Sequence, residues 1–243
     1  MWRKISIVQT AVIMLGVILQ LLLGNIQLAF FAFPMNVALM ILVSVSAYYC
    51  RKTWVSGIAF SLAVISIWLL LSLCLGLFPI FSGYSRSWVF VLQTLLLLFV
   101  LSSVIFRRHD FMFFIAHFGM LVAVSGAFWG ACDQTTEQVL LKENALFKIS
   151  NKECTFIKFD KETQVAYLLT GKSDTLTAAV NHPAYYKGRD IYPQTYNAEH
   201  NVCVLLIVFQ PWKWVEYAGI ACILIWAILV PFKILNKRRN SYV

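Results

Sequence analysis

The chain has 243 residues, 60% of them hydrophobic and only 13% charged. A soluble domain carries about a quarter charged residues, so this composition excludes a soluble globular protein and indicates an integral membrane one. The net charge of +9 does not mark a nucleic-acid binder, because residues 132–213 hold nine Lys and Arg against nine Asp and Glu. The whole excess lies at the ends of apolar segments, where the positive-inside rule puts it.

The apolar segments come in blocks of about 20 residues, which is helix-bundle patterning and not the ~10-residue alternation of a barrel. Arg3 and Lys4 precede Ile5–Gly24, too long a core for a signal peptide and followed by further spans, so it reads as an uncleaved first helix. Asn25 turns the chain into a second span, Ile26–Tyr49, closed by Arg51 and Lys52. Trp54–Leu75 is the third, and a loop with Pro79, Gly83 and Arg86 leads to the fourth, Trp88–Phe106. Arg107, Arg108, His109 and Asp110 form a charged loop before the fifth, Phe111–Ala131. The last is Trp214–Leu235, closed by Lys233, Lys237, Arg238 and Arg239.

Ten of these flanking cations fall on one side and Arg86 alone on the other. That bias predicts six spans with both termini cytoplasmic. The predicted fold is an α-helical membrane bundle with a small extracytoplasmic β-rich domain before the last helix. Residues 1–131 form the five-helix region, 132–213 the outer domain, and 214–243 the final helix with its basic tail.

The outer domain reads as β from the runs 155–159, 165–169, 175–180 and 202–209, rich in β-branched and aromatic residues and separated by turn clusters. At about 80 residues it is small for an independent core, so packing against the membrane or a partner is expected. Val180–Tyr196 predicts a Tyr-dense surface hairpin, with Lys187-Gly188 as its turn and a strand over Arg189–Tyr192. Pro193 then predicts a strand end or an edge strand. Cys132, Cys154 and Cys203 lie in or beside this domain, where one disulfide would leave a third thiol over.

His117 is the one titratable side chain of the fifth span. A histidine there serves as packing glue, bonded to a neighbouring helix, as an axial ligand to a haem between helices, or as a proton relay, for which spans one to five offer no intramembrane Asp, Glu, Lys or Arg. Gly119 and the aromatics Phe111, Phe113, Phe114 and Phe118 surround it and could flank a porphyrin, although aromatic stripes are usually core. His182 precedes Pro183 and has no second ligand at zinc-like spacing. His200 reads as solvated, and His109 as sharing a basic surface with Arg107 and Arg108. No Ser-His-Asp order, H-E-x-x-H, Walker loop or dinucleotide fingerprint occurs. The residues alone therefore make no case for a catalytic centre.

Two stretches resemble the ResB (CcsB) family. His117-Phe118-Gly119-Met120-Leu121, running to Gly130-Ala131-Cys132-Asp133, is similar to that family's histidine-bearing helix with its G-x-x-D exit. Residues 180–196, then 204–213 and Tyr217-Ala218-Gly219-Ile220, resemble its closing signature. The resemblance spans about 111–225. It implies a non-catalytic subunit of the system II cytochrome c maturation complex in a bacterial cytoplasmic (inner) membrane. The complex would carry haem b, bound transiently and non-covalently, to the outer face for attachment to apocytochrome c. His117 maps onto the family's haem ligand; His182, Tyr192 and Tyr196, in the Tyr-dense hairpin, are read from their own chemistry as contacts for a partner or apocytochrome. The outer domain is shorter than the family's. The Trp-rich motif of the partner subunit is absent, so a separate CcsA (ResC)-like chain must supply it. Two other readings stand beside this one: a haem-free scaffold or apocytochrome-binding module of that complex, and an unrelated membrane transporter or sensor.

Overall fold

The computed structural model describes residues 2–77, 85–108, 110–171 and 174–240. The loop residues Pro79 and Gly83, the turn residues Lys172 and Ser173, and His109 lie outside that set. The chain divides into a helical unit, Met1–Asp133 with Trp212–Val243, and a β unit, Gln134–Pro211.

The helical unit has six helices: α1 (Trp2–Leu23), α2 (Met35–Cys50), α3 (Ile58–Leu77), α4 (Trp88–Arg107), α5 (Phe111–Asp133) and α6 (Lys213–Asn240). Among the described residues, α1, α4, α5 and the Lys213–Lys233 part of α6 are long and apolar enough to cross a membrane. Met35–Cys50 is a shorter apolar helix, and the Ile58–Cys74 part of α3 is an apolar stretch of similar length. The unit is a multi-pass membrane bundle with four clear candidate spans; six crossings rest on the charge pattern.

Two predicted spans begin differently from expectation. The second is not one helix over Ile26–Tyr49: a 3-10 turn at Leu28–Phe31 gives way to α2 only after Pro34. The Pro34 ring crowds the α conformation of the residue before it, so the chain cannot run helically through Phe33. The third begins with a 3-10 turn at Trp54–Ser56, and Gly57 is extended before α3 starts.

Helix α4 is the hub, packed on α1, α2, α3 and α5, and α5 pairs closely with α6. Ile5, Phe60, Val64, Leu97, Val100 and Leu101 form its apolar core where α1, α3 and α4 meet. Ser87 caps α4 by accepting the Phe90 N–H through its Oγ at 3.2 Å. Inside the bundle, Gln93 Nε2 donates to Gln9 Oε1 at 2.9 Å, and Trp68 Nε1 donates to Thr94 Oγ1 at 3.0 Å. These bonds give buried polar groups the partners that hydrocarbon cannot.

The α5–α6 pair is close because glycines remove side chains from the seam. A Cβ built on Gly219 would lie 2.3 Å from the Ala123 nitrogen, and one on Gly126 would lie 2.9 Å from the Glu216 nitrogen. Gly119 belongs to the same seam: its Cβ would meet Cys222, Gly219 and Ile223 at 3.0 Å. This is small-residue packing of membrane helices.

The β unit holds two four-stranded antiparallel sheets. One has the order β1 (Thr135–Lys142), β8 (Val202–Phe209), β7 (Arg189–Asn197), β6 (Ala184–Tyr186), and the other β2 (Ala145–Ile149), β3 (Lys152–Asp160), β4 (Val165–Thr170), β5 (Asp174–Ala179). Alternate residues face inward, as the period of two requires. Phe147, Phe156 and Leu168 from one sheet meet Leu141, Ile191, Leu205 and Ile207 from the other in a single core. Two-residue turns with both φ positive close two hairpins, Ser150-Asn151 between β2 and β3 and Lys187-Gly188 between β6 and β7. The strand through Tyr192 does not stop at Pro193 but runs to Asn197. The three-residue β6 pairs with it only as far as Ile191, so Pro193, in register with Leu205 of β8, has no β6 residue opposite it, and it sits beside a register shift between Pro193 and Thr195. The missing N–H of proline is tolerated there.

Candidate functional site: a basic-ended cleft beside His117

Helix α5 presents His117 half-buried, one turn after Phe113. Its Nδ1 lies 2.9 Å from the Phe113 carbonyl oxygen. A carbonyl only accepts, so Nδ1 carries the proton and Nε2 keeps its lone pair. The Phe113 ring stacks on the imidazole with centroids 3.8 Å apart at 23°. The Arg108 guanidinium in turn lies 4.9 Å from the Phe113 centroid. Cation, phenyl and imidazole thus form one short ladder, which holds the imidazole in a single orientation and tautomer.

His117 lines a cleft of about 720 Å³ with Ile58, Leu62 and Ile65 of α3, Val100, Leu101 and Val104 of α4, and Arg107, Arg108 and Phe113. Arg107 is held in place because its Nη1 donates to the Ser56 carbonyl at 3.0 Å and to Ser56 Oγ at 3.2 Å. The helical unit has only three acids, Asp110, Asp133 and Glu216. None of them lines this cleft. Asp110 instead caps α5, accepting from the Phe113 N–H at 2.9 Å, and pairs with Lys233 Nζ at 3.3 Å. The backbone bond first and the Lys233 bond second hold the Asp110 carboxyl below its ordinary range. The cleft is therefore apolar along its length, cationic at one end, and carries one imidazole on its wall.

That set fits a haem. Neutral imidazole with Nδ1 tied to a carbonyl is the usual form of a haem-ligating histidine, and apolar walls suit a macrocycle. Of the surrounding aromatics, only Phe113 shares the cleft. Phe111 and Phe114 line a neighbouring one of about 700 Å³ with Tyr48, Arg51 and Lys52. Phe118 lines a third, of about 390 Å³, with Ser102, Ser125 and Trp129. Gly119 packs on α6 and does not flank the cleft.

The other candidate residues lie in the β unit. The exposed His182 exchanges two main-chain bonds with Ala179, at 2.9 and 3.1 Å, as a bridge at the end of β5. Tyr196 stacks on Phe159 at 4.9 Å, donates through its hydroxyl to Asn201 Oδ1 at 2.9 Å, and has Lys161 Nζ 5.3 Å from its ring. Tyr196 lines a shallow cleft of about 310 Å³ with Phe159, Lys161, Pro193 and Gln194, which His182 and Tyr192 do not reach. His200 is exposed, its N–H bonded to Asn197 Oδ1 at 3.3 Å. Among the described residues, no three His, Cys, Asp or Glu side chains come together to hold a metal ion. The six cysteines are free thiols, Cys132, Cys154 and Cys203 being buried.

Two features were not read from sequence. Arg107 and Arg108 served only as topology markers, although a cationic pair nine or ten residues before an intramembrane histidine is itself a signal. The role of Asp133, noted in the sequence only as the Asp of the G-x-x-D exit, is the second. Its Oδ1 accepts the Phe33 N–H at 2.8 Å, and its Oδ2 accepts from Asn36 Nδ2 at 2.7 Å and Trp212 Nε1 at 2.6 Å. One carboxylate thereby joins the ends of α2, α5 and α6.

Fold and site together define a multi-pass membrane protein with a histidine-bearing intramembrane cleft and a small β-sandwich. No family model matches the chain, and no curated protein matches it. Among solved structures it is similar to a cytochrome c haem lyase, CcmF, at 14% identity and a TM-score of 0.38, over 66% of this chain and 33% of that one. The chain thus spans a third of that protein's length. A likeness that faint assigns this chain neither fold family nor activity.

Proposed function

We propose that the chain binds haem in the membrane through His117, as a subunit of a cytochrome c maturation complex of the ResB (CcsB) kind. The observation that carries this reading is the bond from His117 Nδ1 to the Phe113 carbonyl, inside an apolar cleft with a cationic end. It leaves Nε2 unprotonated and able to ligate iron. Bound haem is the cargo, and what it supplies is the vinyl groups that apocytochrome thiols attack elsewhere in the complex. This chain's own residues bind it, orient it and shield it from water.

With the basic ends of its helices cytoplasmic, the Arg107–Arg108 end of the cleft faces the side on which haem is made, and the β unit lies outside. A CcsA (ResC)-like partner would supply a second axial ligand, since α5 has no other histidine, and would carry out thioether formation. The aromatic cleft around Tyr196 is offered to that partner or to apocytochrome c.

The test is a hemin titration of the purified chain in detergent beside its His117→Ala variant. A saturable Soret band that needs His117 is the expected result. Equal spectra for the two proteins would leave this chain a haem-free scaffold.

A further inference from the structure

We infer that Arg107 and Arg108 bind the two propionate carboxylates of the ligand and so set its orientation in the cleft; this rests on the haem reading above. Haem carries both carboxylates on one edge of a flat apolar ring. A histidine holding the iron at the ring's centre therefore leaves one edge needing cations and three needing apolar walls. The cleft has those parts: the cations Arg107 and Arg108, which line the neighbouring cleft as well, the apolar Ile58, Leu62 and Ile65 of α3, and His117.

Both guanidiniums are preorganised. The bonds from Arg107 to Ser56 occupy Nη1. Arg108 sits on the face of Phe113, a contact that uses its charge and not its N–H donors. Guanidinium meets carboxylate through two parallel N–H bonds, so two arginines match two propionates. No acid of this unit lines the cleft to compete for them. The same ladder of Arg108, Phe113 and His117 ties the anion-binding end to the ligating nitrogen, so the ligand's edge and its iron are positioned by one element.

The experiment compares hemin with its dimethyl ester, which keeps ring and iron and loses both charges. Each is titrated into the purified full-length chain in neutral detergent, with Kd read from the Soret band. The wild type should bind the ester at least about tenfold more weakly than hemin. Arg107→Ala/Arg108→Ala should bind the two alike, with the His117-dependent low-spin band retained at saturation. Arg51→Ala, which changes a residue of the neighbouring cleft only, should bind hemin as the wild type does. The wild-type comparison needs no variant to fold. Equal wild-type affinity for hemin and ester would overturn the assignment while leaving His117 as ligand. So would a loss of hemin affinity in Arg51→Ala as large as in the double variant, because charge in general would then be at work. If neither compound gives a His117-dependent band, the haem reading itself fails and takes this inference with it.

Discussion

The Nδ1 of His117 is bonded at 2.9 Å to the main-chain oxygen of Phe113, four residues earlier on the same helix. Packing glue between helices would send the imidazole to a neighbour; here the Nδ1 bond stays within α5 and fixes the tautomer. His117→Asn should therefore be informative. Its amide nitrogen takes the place of Nδ1 and can still donate to the Phe113 oxygen, but it offers no axial nitrogen. Haem spectra of His117→Asn should match those of His117→Ala, and millimolar imidazole should restore a low-spin band to the alanine variant. A normal band in His117→Asn would mean that the ring is structural.

Asp133 should matter for stability more than its position at a helix end suggests. Asp133→Ala strands the Trp212 and Asn36 donors and the Phe33 N–H, and hydrogen bonds to a charged acceptor are worth about 1.5–3 kcal/mol each. Trp212→Phe removes one of the three and should cost less. Thermal unfolding in detergent would rank wild type above Trp212→Phe and that above Asp133→Ala. The reverse order would show the knot to be incidental.

The glycine seam makes a sharper demand. At Gly219 even a methyl would fall 2.3 Å from backbone, so Gly219→Leu should part α5 from α6, and Gly219→Ala should cost about 1–3 kcal/mol. Gly24, whose Cβ would meet nothing within 4 Å, is the control for bulk, although its φ of +70° adds a separate local strain. Cysteine crosslinking of α5 to α6 would follow the seam directly. Unchanged crosslinking in Gly219→Leu would contradict this packing.

How far these features were legible in the residues depends on how many elements each one needs. Strand β8 coincides with its hydrophobic run at 202–209, β4 differs from its run by one residue at its end and β5 by one at each end, because burial and alternation are carried by the segment itself. The Lys187-Gly188 turn was equally local. Strands β1 and β2 were not read: β1 opens Thr-Thr-Glu-Gln and buries only Leu141 fully, so pairing with β8, not apolar content, makes it a strand. The break at Pro34 was written in the sequence but hidden inside an apolar run. His117 stood out as a lone polar group, whereas its cleft is assembled from α1, α3, α4 and α5 and no single stretch describes it. Gly119 illustrates the limit. Its small size was visible, but the partner it makes room for was α6.

The buried thiols of the β unit carry a pH prediction. Burial pushes Cys203 from an ordinary 9.0 up to about 11, and pushes Cys154 upward as well. A thiol whose pKa is raised by folding stabilises the fold fully below its unfolded value. That contribution is lost as pH rises from 9.0 to about 11, since the unfolded chain then releases the proton first. The stability of the β region, followed by hydrogen exchange of its strand amides corrected for the intrinsic rate at each pH, should therefore change little between about pH 7 and 8.5 and fall above about 9. Rapid labelling of both thiols at pH 8 in the folded protein would contradict their burial.

The most direct test is the visible spectrum of the chain co-purified in detergent with the CcsA-like partner proposed for it, beside a His117→Ala complex at matched protein concentration. The account predicts a Soret band with sharp reduced α and β bands in the wild-type complex, lost or strongly weakened in the variant. The same haem content and the same bands in both complexes would place the haem in the partner and contradict a ligating role for His117.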